Sequence, residues 1–565
     1  MMTSSNDPFP GPSPFPGPGA APHAVPAAPG GAEPLRETPT LTPRAVLRSL
    51  PAARLRPARL LAWLPLLGFL CIVLAPPLNH DVAAVLNFSE RWVAGERLYT
   101  DLIDVNPPLI FVLSAIPAAI AHWLPLVDGP QALLLCLLLL YAGVWRLCAR
   151  LRAGRAEGPV EAAVLTVAVP LLCLVAGYDF GQREQIMAVL ALPYLLLADL
   201  RVEGPRPSRR LVLATALLAG LGFALKPHFL AIPALVEGLV LLRRGPARAF
   251  RDPVPWTMAG VWLLYLASLP VLFPDYTGYV LPLVWDYYLD LGGLAWWQVV
   301  FGDKLGAAVA LLLPLAAVAF LAPAFRRGRN GGTLAQSLAL AGIGAIASAW
   351  AQHKGWSYHV LPVRMFAATL GLVLAARWLD GALSPARARL SAPALAAGAA
   401  FALAAYGVTG TESPWRQISY ADSSAGRFAA WLRQQAQDER LLVLSPDIYP
   451  VYPALNYAGA QSTLRTMNLW LLQGVYERCP ANGARYRETW EMSRAEFFVY
   501  RTVAEDFART PPAAVLVSRN PGIPWCGSEF DFLAYFGRHP LFAETFRRYR
   551  PAGELAGYRL YLRED

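Results

Sequence analysis

Apolar stretches broken by short polar loops dominate this chain up to about residue 408. Leu60–Pro76, Ala132–Cys148, Val160–Ala176 and Leu305–Pro323 are long runs of this kind. A hydrocarbon core of about 30 Å needs roughly 20 apolar residues in a helix. The pattern predicts membrane helices at about 59–76, 131–149, 160–176, 186–200, 254–273, 304–323, 333–351, 361–378 and 392–408. "LVLATALLAGLGFALKPHFLAIPALVEGLVLL" (Leu211–Leu242) adds two short ones, which makes about eleven. The runs are too many and too spread out for a signal peptide.

From about residue 410 the pattern changes to that of a soluble domain. "RLLVLS" (Arg440–Ser445) and "AAVLVS" (Ala513–Ser518) read as buried strands, and "GYRLYLR" (Gly557–Arg563) as a closing strand with alternating faces. "GRFAAWLRQQAQ" (Gly426–Gln437) reads as an amphipathic helix. A small α/β domain over 410–565 fits these elements. The expected domains are thus a Pro/Gly/Ala-rich disordered tail over 1–45, a membrane bundle over 58–408 and this soluble domain.

Composition agrees with a polytopic membrane protein: 55% of residues are hydrophobic and only 16% charged, against about 25% charged in soluble proteins. The net charge of +10 does not indicate a nucleic-acid partner. It falls in short arginine clusters between apolar runs, at 150–155, 201–210, 243–251, 326–329 and 387–389, as the positive-inside rule expects of cytoplasmic loops. Placing each cluster inside gives a cytoplasmic N-terminus and a C-terminal domain outside, which in a bacterial inner membrane is the periplasmic side. Pro108–Val127 is apolar enough to span, but spanning would move every later cluster to the other side. It is therefore read as an interfacial or re-entrant helix. Cys479 and Cys526 fall in the outer domain, where a disulfide or two free thiols would both fit.

Chemistry gathers at the outer edge. The chain's three lysines, Lys226, Lys304 and Lys354, all fall there, with Arg183, His80, His228, His353 and His359. Outer positive charge works against the topology rule, which points to an anionic ligand such as a lipid headgroup. "DVAAVLNFSERWVAGERLYTDLIDVNPPL" (Asp81–Leu109) gathers carboxylates beside these cations. Asp81 sits where a helix should begin. There a carboxylate is either a helix cap or, held ionised by the helix N-terminus, a base for an acceptor hydroxyl. Lys354, Tyr358 and His359 in "QHKGWSYHVLP" could bind phosphate, or could be a cap, an interfacial anchor and a core histidine.

This first loop resembles that of the fold-C (GT-C) glycosyltransferases that use lipid-phosphate sugars. The dolichyl-phosphate-mannose protein mannosyltransferases and the bacterial lipid A aminoarabinose transferases are nearest in pattern. Their loop opens on an acidic residue, passes an "A..l..G..lY.d..d" stretch and ends in "PPL"; "LGFALKPHFL" is likewise similar to their "LaflTKGp" element. The resemblance implies a mainly α membrane bundle of GT-C type, with interfacial helices in the first periplasmic loop. It implies inverting transfer of a sugar from a polyprenyl-phosphate carrier to an envelope glycan, lipid or protein acceptor, with Asp81 as the base. On this view Arg183, Lys226, His228, Lys354, Tyr358 and His359 are candidates to bind the donor phosphate. Asp101, Asp104 and either Asp179 or Glu184 are candidates for acidic support or acceptor binding. Asn106 departs from the basic residue or histidine that often precedes "PPL" in the family. Asp81 with Asp179 or Glu184 has the oxygen donors of a Mg²⁺ or Mn²⁺ site, but the mannosyltransferases it resembles are metal-independent, and no cofactor is expected.

A transporter or flippase for a lipid-linked sugar is the alternative of a different class. It would show charges at helix centres and an inverted repeat, and neither is visible. An O-antigen polymerase or ligase would concentrate its chemistry in a large mid-chain external loop, which is modest here.

Overall fold

The computed structural model describes residues 57–124, 126–323, 332–526 and 528–564. The expected tail over 1–45 and the arginine cluster at 326–329 lie outside the described residues. Thirteen helices build the membrane part as described: α1 Pro57–Leu74, α2 His80–Val93, α3 Pro108–Trp123, α4 Gly129–Arg152, α5 Pro159–Leu172, α6 Arg183–Glu203, α7 Arg209–Phe223, α8 Ala231–Arg244, α9 Pro253–Leu272, α10 Asp303–Leu321, α11 Gly332–Gln352, α12 Ser357–Ala382 and α13 Pro385–Thr411. Among the described residues, eight are long and apolar enough to cross a membrane: α1, α4, α6, α9, α10, α11, α12 and α13. α5, α7 and α8 have 14, 15 and 14 residues, short of a full crossing by length. α3 has 16 and packs against α2 and α4.

Burial explains which helices form the centre. α6 is buried almost all round, whereas α9 leaves most of its surface open. A helix apolar on every face belongs either in a protein core or against lipid. α6 takes the first role, packed against α4, α7, α11 and α12, and α9 the second.

Several arginines of the loops expected inside are not free charges. Arg155 is bonded to Glu157 at 2.6 Å, Glu161 at 3.1 Å and Asp199 at 2.6 Å. Arg201 bonds Glu237 at 2.6 Å and Asp252 at 2.9 Å. These buried clusters tie α5, α6, α8 and α9 together at the end of the bundle away from the site described below. Removing one member of such a cluster costs about 3–5 kcal/mol.

Beyond α13 the chain forms a five-stranded sheet in the order β2-β1-β3-β5-β4: β1 Arg440–Leu444, β2 Gln461–Ser462, β3 Ala514–Ser518, β4 Tyr549–Leu555 and β5 Tyr558–Arg563. β1 and β3 pair in parallel, Leu441 opposite Ala514 and Leu444 opposite Val517, and every residue from Leu441 to Leu444 and throughout β3 is buried. That double-sided burial is why both read as unbroken apolar runs. Ser424–Gln435 and Arg494–Arg509 are amphipathic helices, and Cys479 and Cys526 form a disulfide.

The sheet region and the bundle meet through the first loop. Ile103 bridges to Thr466, Arg91 donates to the Leu464 carbonyl at 2.9 Å, and Asn456 donates to the Ala83 carbonyl at 3.0 Å.

Candidate active site

At this junction lies a cavity of about 1450 Å³. Its walls come from the start of α2 (His80, Asp81), the first loop (Asp104, Asn106), the turn before α6 (Tyr178, Asp179) and the first residue of α6 (Arg183), Tyr288, and the starts of α10 and α12. The end of α13 and the segment after it, and Asp447, Tyr449 and Trp470 of the C-terminal region, complete them.

Asp81 is in the first turn of α2 but is not its cap. Asn79 takes that position: its side-chain oxygen accepts from the Asp81 N–H at 3.0 Å. The Asp81 carboxylate is therefore left to face the cavity. Gln182 Nε2 donates to its Oδ2 at 3.1 Å and to Asn79 Oδ1 at 2.8 Å. Gln182 stands at the N-cap of α6, yet its side chain does not cap that helix. Two helix starts are thus joined by one amide bridge, with Asp81 at its edge. His80 Nε2 lies 3.7 Å from Asp81 Oδ1, and His80 Nδ1 meets the Tyr178 hydroxyl at 2.9 Å.

Asp179 is fixed by the same bridge, accepting from Asn79 Nδ2 at 3.2 Å. The turn carrying it needs two left-handed glycines, Gly177 (φ +56°) and Gly181 (φ +85°). A Cβ at Gly177 would stand 2.6 Å from both the Ser413 and Thr411 hydroxyls, so "GYDFGQ" admits little else at that position. Burial, with repulsion from Asp81, Glu184 and Glu412, pushes the Asp179 carboxyl up to about 7 against the pull of Arg416. Asp104 is buried too, raised chiefly by burial, and accepts from the Asn106 N–H at 2.9 Å.

Arg183 opens α6, is buried, and hydrogen-bonds the Asn106 side chain. Among the described residues no carboxylate lies within 4.0 Å of it. Such a guanidinium is a ready anion site. Lys354 also lines the cavity, but its ammonium donates to the carbonyls of Tyr288 at 2.8 Å and Leu291 at 2.9 Å and sits 4.0 Å from the Tyr288 ring. It fastens the 288–291 loop as much as it faces the cavity. Burial brings it down to about 8. Tyr358 lines the same wall, buried.

The other expected residues stand elsewhere. Lys226 is buried behind the wall, donating to Glu184 Oε1 at 2.6 Å and Gln352 Oε1 at 2.7 Å, and burial lowers it to about 8. His359 Nε2 is 3.8 Å from the same Glu184 oxygen. His228 is held neutral, brought down to about 3 by burial and by Lys226. These four form a polar cluster outside the cavity lining. Asp101 lies outside it as well, paired with Arg97 at 3.1 Å. Of the two second-loop acids left open by the sequence, the structure brings Asp179 to the cavity and pairs Glu184 with Lys226.

Several lining residues had no sequence signal of their own. Tyr288, Arg416 and the C-terminal trio Asp447, Tyr449 and Trp470 come together only through tertiary contact, as does Gln182, which reaches Asp81 from behind the lining. Lys304 was visible as one of three lysines; Arg364 was missed, although a lone charge near the start of an apolar run was a signal that could have found it. Among the described residues no group of three His, Cys, Asp or Glu side chains is arranged to hold a metal ion.

No protein-family model and no curated protein sequence matches the chain. The crystal structure of ArnT from Cupriavidus metallidurans bound to undecaprenyl phosphate is similar to it, with a TM-score of 0.52 at 14% sequence identity, covering 89% of this chain and 97% of that one. The chain thus shares the fold of ArnT, as the first loop implied, with eight helices among the described residues long and apolar enough to cross a membrane.

Proposed function

We propose that this protein is an inverting glycosyltransferase of a bacterial inner membrane. It would move a sugar from a polyprenyl-phosphate carrier to an envelope acceptor, a lipid, polysaccharide or protein, on the periplasmic face. The observation that carries the reading is the Asp81 carboxylate, free of capping and steered by Gln182 into a cavity that also holds the Arg183 guanidinium, which has no carboxylate within 4.0 Å among the described residues. ArnT, which shares the fold, was crystallised with undecaprenyl phosphate, and that supports a donor of this class.

In the reaction the acceptor oxygen attacks the anomeric carbon and forms the new glycosidic bond as its proton passes to Asp81. The bond from that carbon to the phosphate oxygen breaks, and its electron pair leaves with the polyprenyl phosphate. Arg183 stabilises the charge that develops on the phosphate, with the remaining N–H of Lys354 and the Tyr358 hydroxyl within the same wall. Phosphate is a good leaving group, so positioning and charge neutralisation supply most of the rate. Lys226, His228 and His359 act from behind the wall, where the Glu184–Lys226 pair holds the start of α6 and so Arg183. Asp104 supports Asn106, the partner of Arg183. We read the chemistry as independent of a metal, so that a chelator leaves it unchanged. The C-terminal region, placed on the periplasmic side, covers the mouth of the cavity.

The test is envelope glycan composition in a deletion strain carrying wild type or Asp81→Asn. The Asn side chain keeps size but cannot take a proton. Loss of one sugar on deletion, restored by wild type and not by an equally abundant Asp81→Asn, supports the reading and names the sugar. Full rescue by Asp81→Asn removes the base and returns the transporter reading.

A further inference from the structure

We propose that Arg364 is a second anion-binding point of the cavity, holding an acidic group (phosphate or carboxylate) of the acceptor; this rests on the transferase reading above. Arg364 stands in the second turn of α12, a membrane-crossing helix, where an arginine is expensive and ordinarily tied to a partner or a ligand. Its partners do not neutralise it. Nη2 donates to the Tyr406 carbonyl at 2.6 Å and to the Thr409 hydroxyl at 3.4 Å, and the guanidinium lies 4.6 Å from the Tyr406 ring. Among the described residues no carboxylate comes within 4.0 Å. Nε and Nη1 make no hydrogen bond among the described residues, and neither is shut off from solvent.

The seat is shaped for this side chain. A Cβ on Gly410 would fall 1.9 Å from the guanidinium carbon, so the flat group lies against bare backbone. Arg364, Tyr406, Thr409 and Gly410 all line the cavity. A planar fork with two open donors matches the oxygens of a phosphate or carboxylate.

Position argues for the acceptor rather than the donor. Arg183, the donor-phosphate candidate, bonds Asn106 and has Glu184, Tyr358 and Asp81 as electrostatic neighbours. Arg364 is held instead by the end of α13, through Tyr406 and Thr409. The chain after Gly410 runs through Thr411 and Ser413, which press on Gly177, to Glu412 and Arg416, whose charges act on Asp179. Arg183 and Arg364 thus reach the cavity lining from different supports, the loop at Asn106 and the end of α13. A leaving phosphate held by Arg183 leaves Arg364 for the molecule that attacks. The acceptor is then an acidic glycan or phosphorylated glycolipid. The plainer account is that Arg364 only fastens α12 to α13 through the Tyr406 carbonyl.

The experiment uses the full chain in lipid nanodiscs and reads binding by intrinsic tryptophan fluorescence. The probes are undecaprenyl phosphate and, with that lipid saturating, glucose 1-phosphate, glucuronate and glucose. Wild type is expected to bind one of the two acidic sugars and not glucose, and which one names the acceptor's group. Arg364→Gln should weaken it at least tenfold and Gly410→Ala several-fold, with undecaprenyl phosphate affinity unchanged within twofold. Arg183→Gln should weaken undecaprenyl phosphate instead. Gly410→Ala keeps the arginine and decides the matter if Arg364→Gln does not fold. Loss of undecaprenyl phosphate binding in Arg364→Gln with no change for the acidic sugars assigns the site to the donor and overturns the proposal. Binding of neither acidic sugar by wild type, or no effect of either variant, overturns it in favour of a helix fastener. Failure of the transferase reading looks different: wild type then does not bind undecaprenyl phosphate at all.

Discussion

Asn79 is the residue whose removal probes the site most informatively, because it lies outside the cavity lining and yet organises both acids. Asn79→Ala deletes the cap of α2, worth about 1 kcal/mol. It also deletes the bond from Gln182 at 2.8 Å and the bond to Asp179 at 3.2 Å, each worth about 1 kcal/mol. The sum is about 3 kcal/mol, enough to lower the melting temperature measurably. The effect on rate should be larger than stability alone predicts. Among the described residues the Gln182 side chain then keeps only Asp81 as partner, and a misplacement of about 1 Å at the reacting groups costs about a hundredfold. We therefore expect transfer to fall about a hundredfold with undecaprenyl phosphate affinity nearly unchanged. Asn79→Ser, which can cap but cannot bridge, should recover most of the stability and little of the rate. The assay pairs thermal melting in nanodiscs with transfer measured in membranes. If Asn79→Ala melts early but transfers normally, the bridge does not position Asp81 and the argument from its geometry fails.

Three further outcomes follow from neighbouring contacts. Lys226→Met, which strands Glu184 in a buried place, should cost about 3–5 kcal/mol and cut abundance; the double change Glu184→Gln with Lys226→Met should regain most of it, as read by fluorescence size exclusion. Asp179 keeps its proton up to about 7, against an ordinary value of 3.8. The folded state therefore binds more protons between those values, and this contribution to stability is lost as pH rises toward 7. Ionisation also sets a second negative charge beside Asp81, so the KM for the phosphate donor should rise several-fold as pH passes 7, and Asp179→Asn should abolish that rise. Cys479→Ser with Cys526→Ser opens a link across a sequence separation of 47; chain entropy puts its worth at about 4 kcal/mol, so melting should fall while undecaprenyl phosphate binding survives.

Hydrophobic period made the bundle legible, because membrane helices must be long and apolar, and the eight long spans stand where the runs stand. β1 and β3 were legible for a related reason, being buried on both faces. β4, "YRPAGEL", was not: it is an exposed edge strand interrupted by Pro551 and Gly553, without alternation to betray it. The site was half legible. Asp81, Asp104, Asp179, Arg183, Lys354 and Tyr358 were chosen by residue type and side of the membrane, and the cavity gathers them. Asp101 and the Lys226 cluster satisfied the same criteria but stand outside the lining, since sequence cannot tell a cation facing a cavity from one paired behind its wall. Gln182 carried no mark at all. Its role arises from a contact across 101 positions with Asp81.

The most direct test separates binding from turnover in Asp81→Asn, using purified full-length protein and a polyprenyl-phosphate sugar of the kind lost from the deletion strain. A general base contributes about 10²–10⁴-fold to rate and little to ground-state affinity. The account predicts a donor Kd within about twofold of wild type and a transfer rate down by about a thousandfold. Transfer within tenfold of wild type, or loss of donor binding together with turnover, would contradict it.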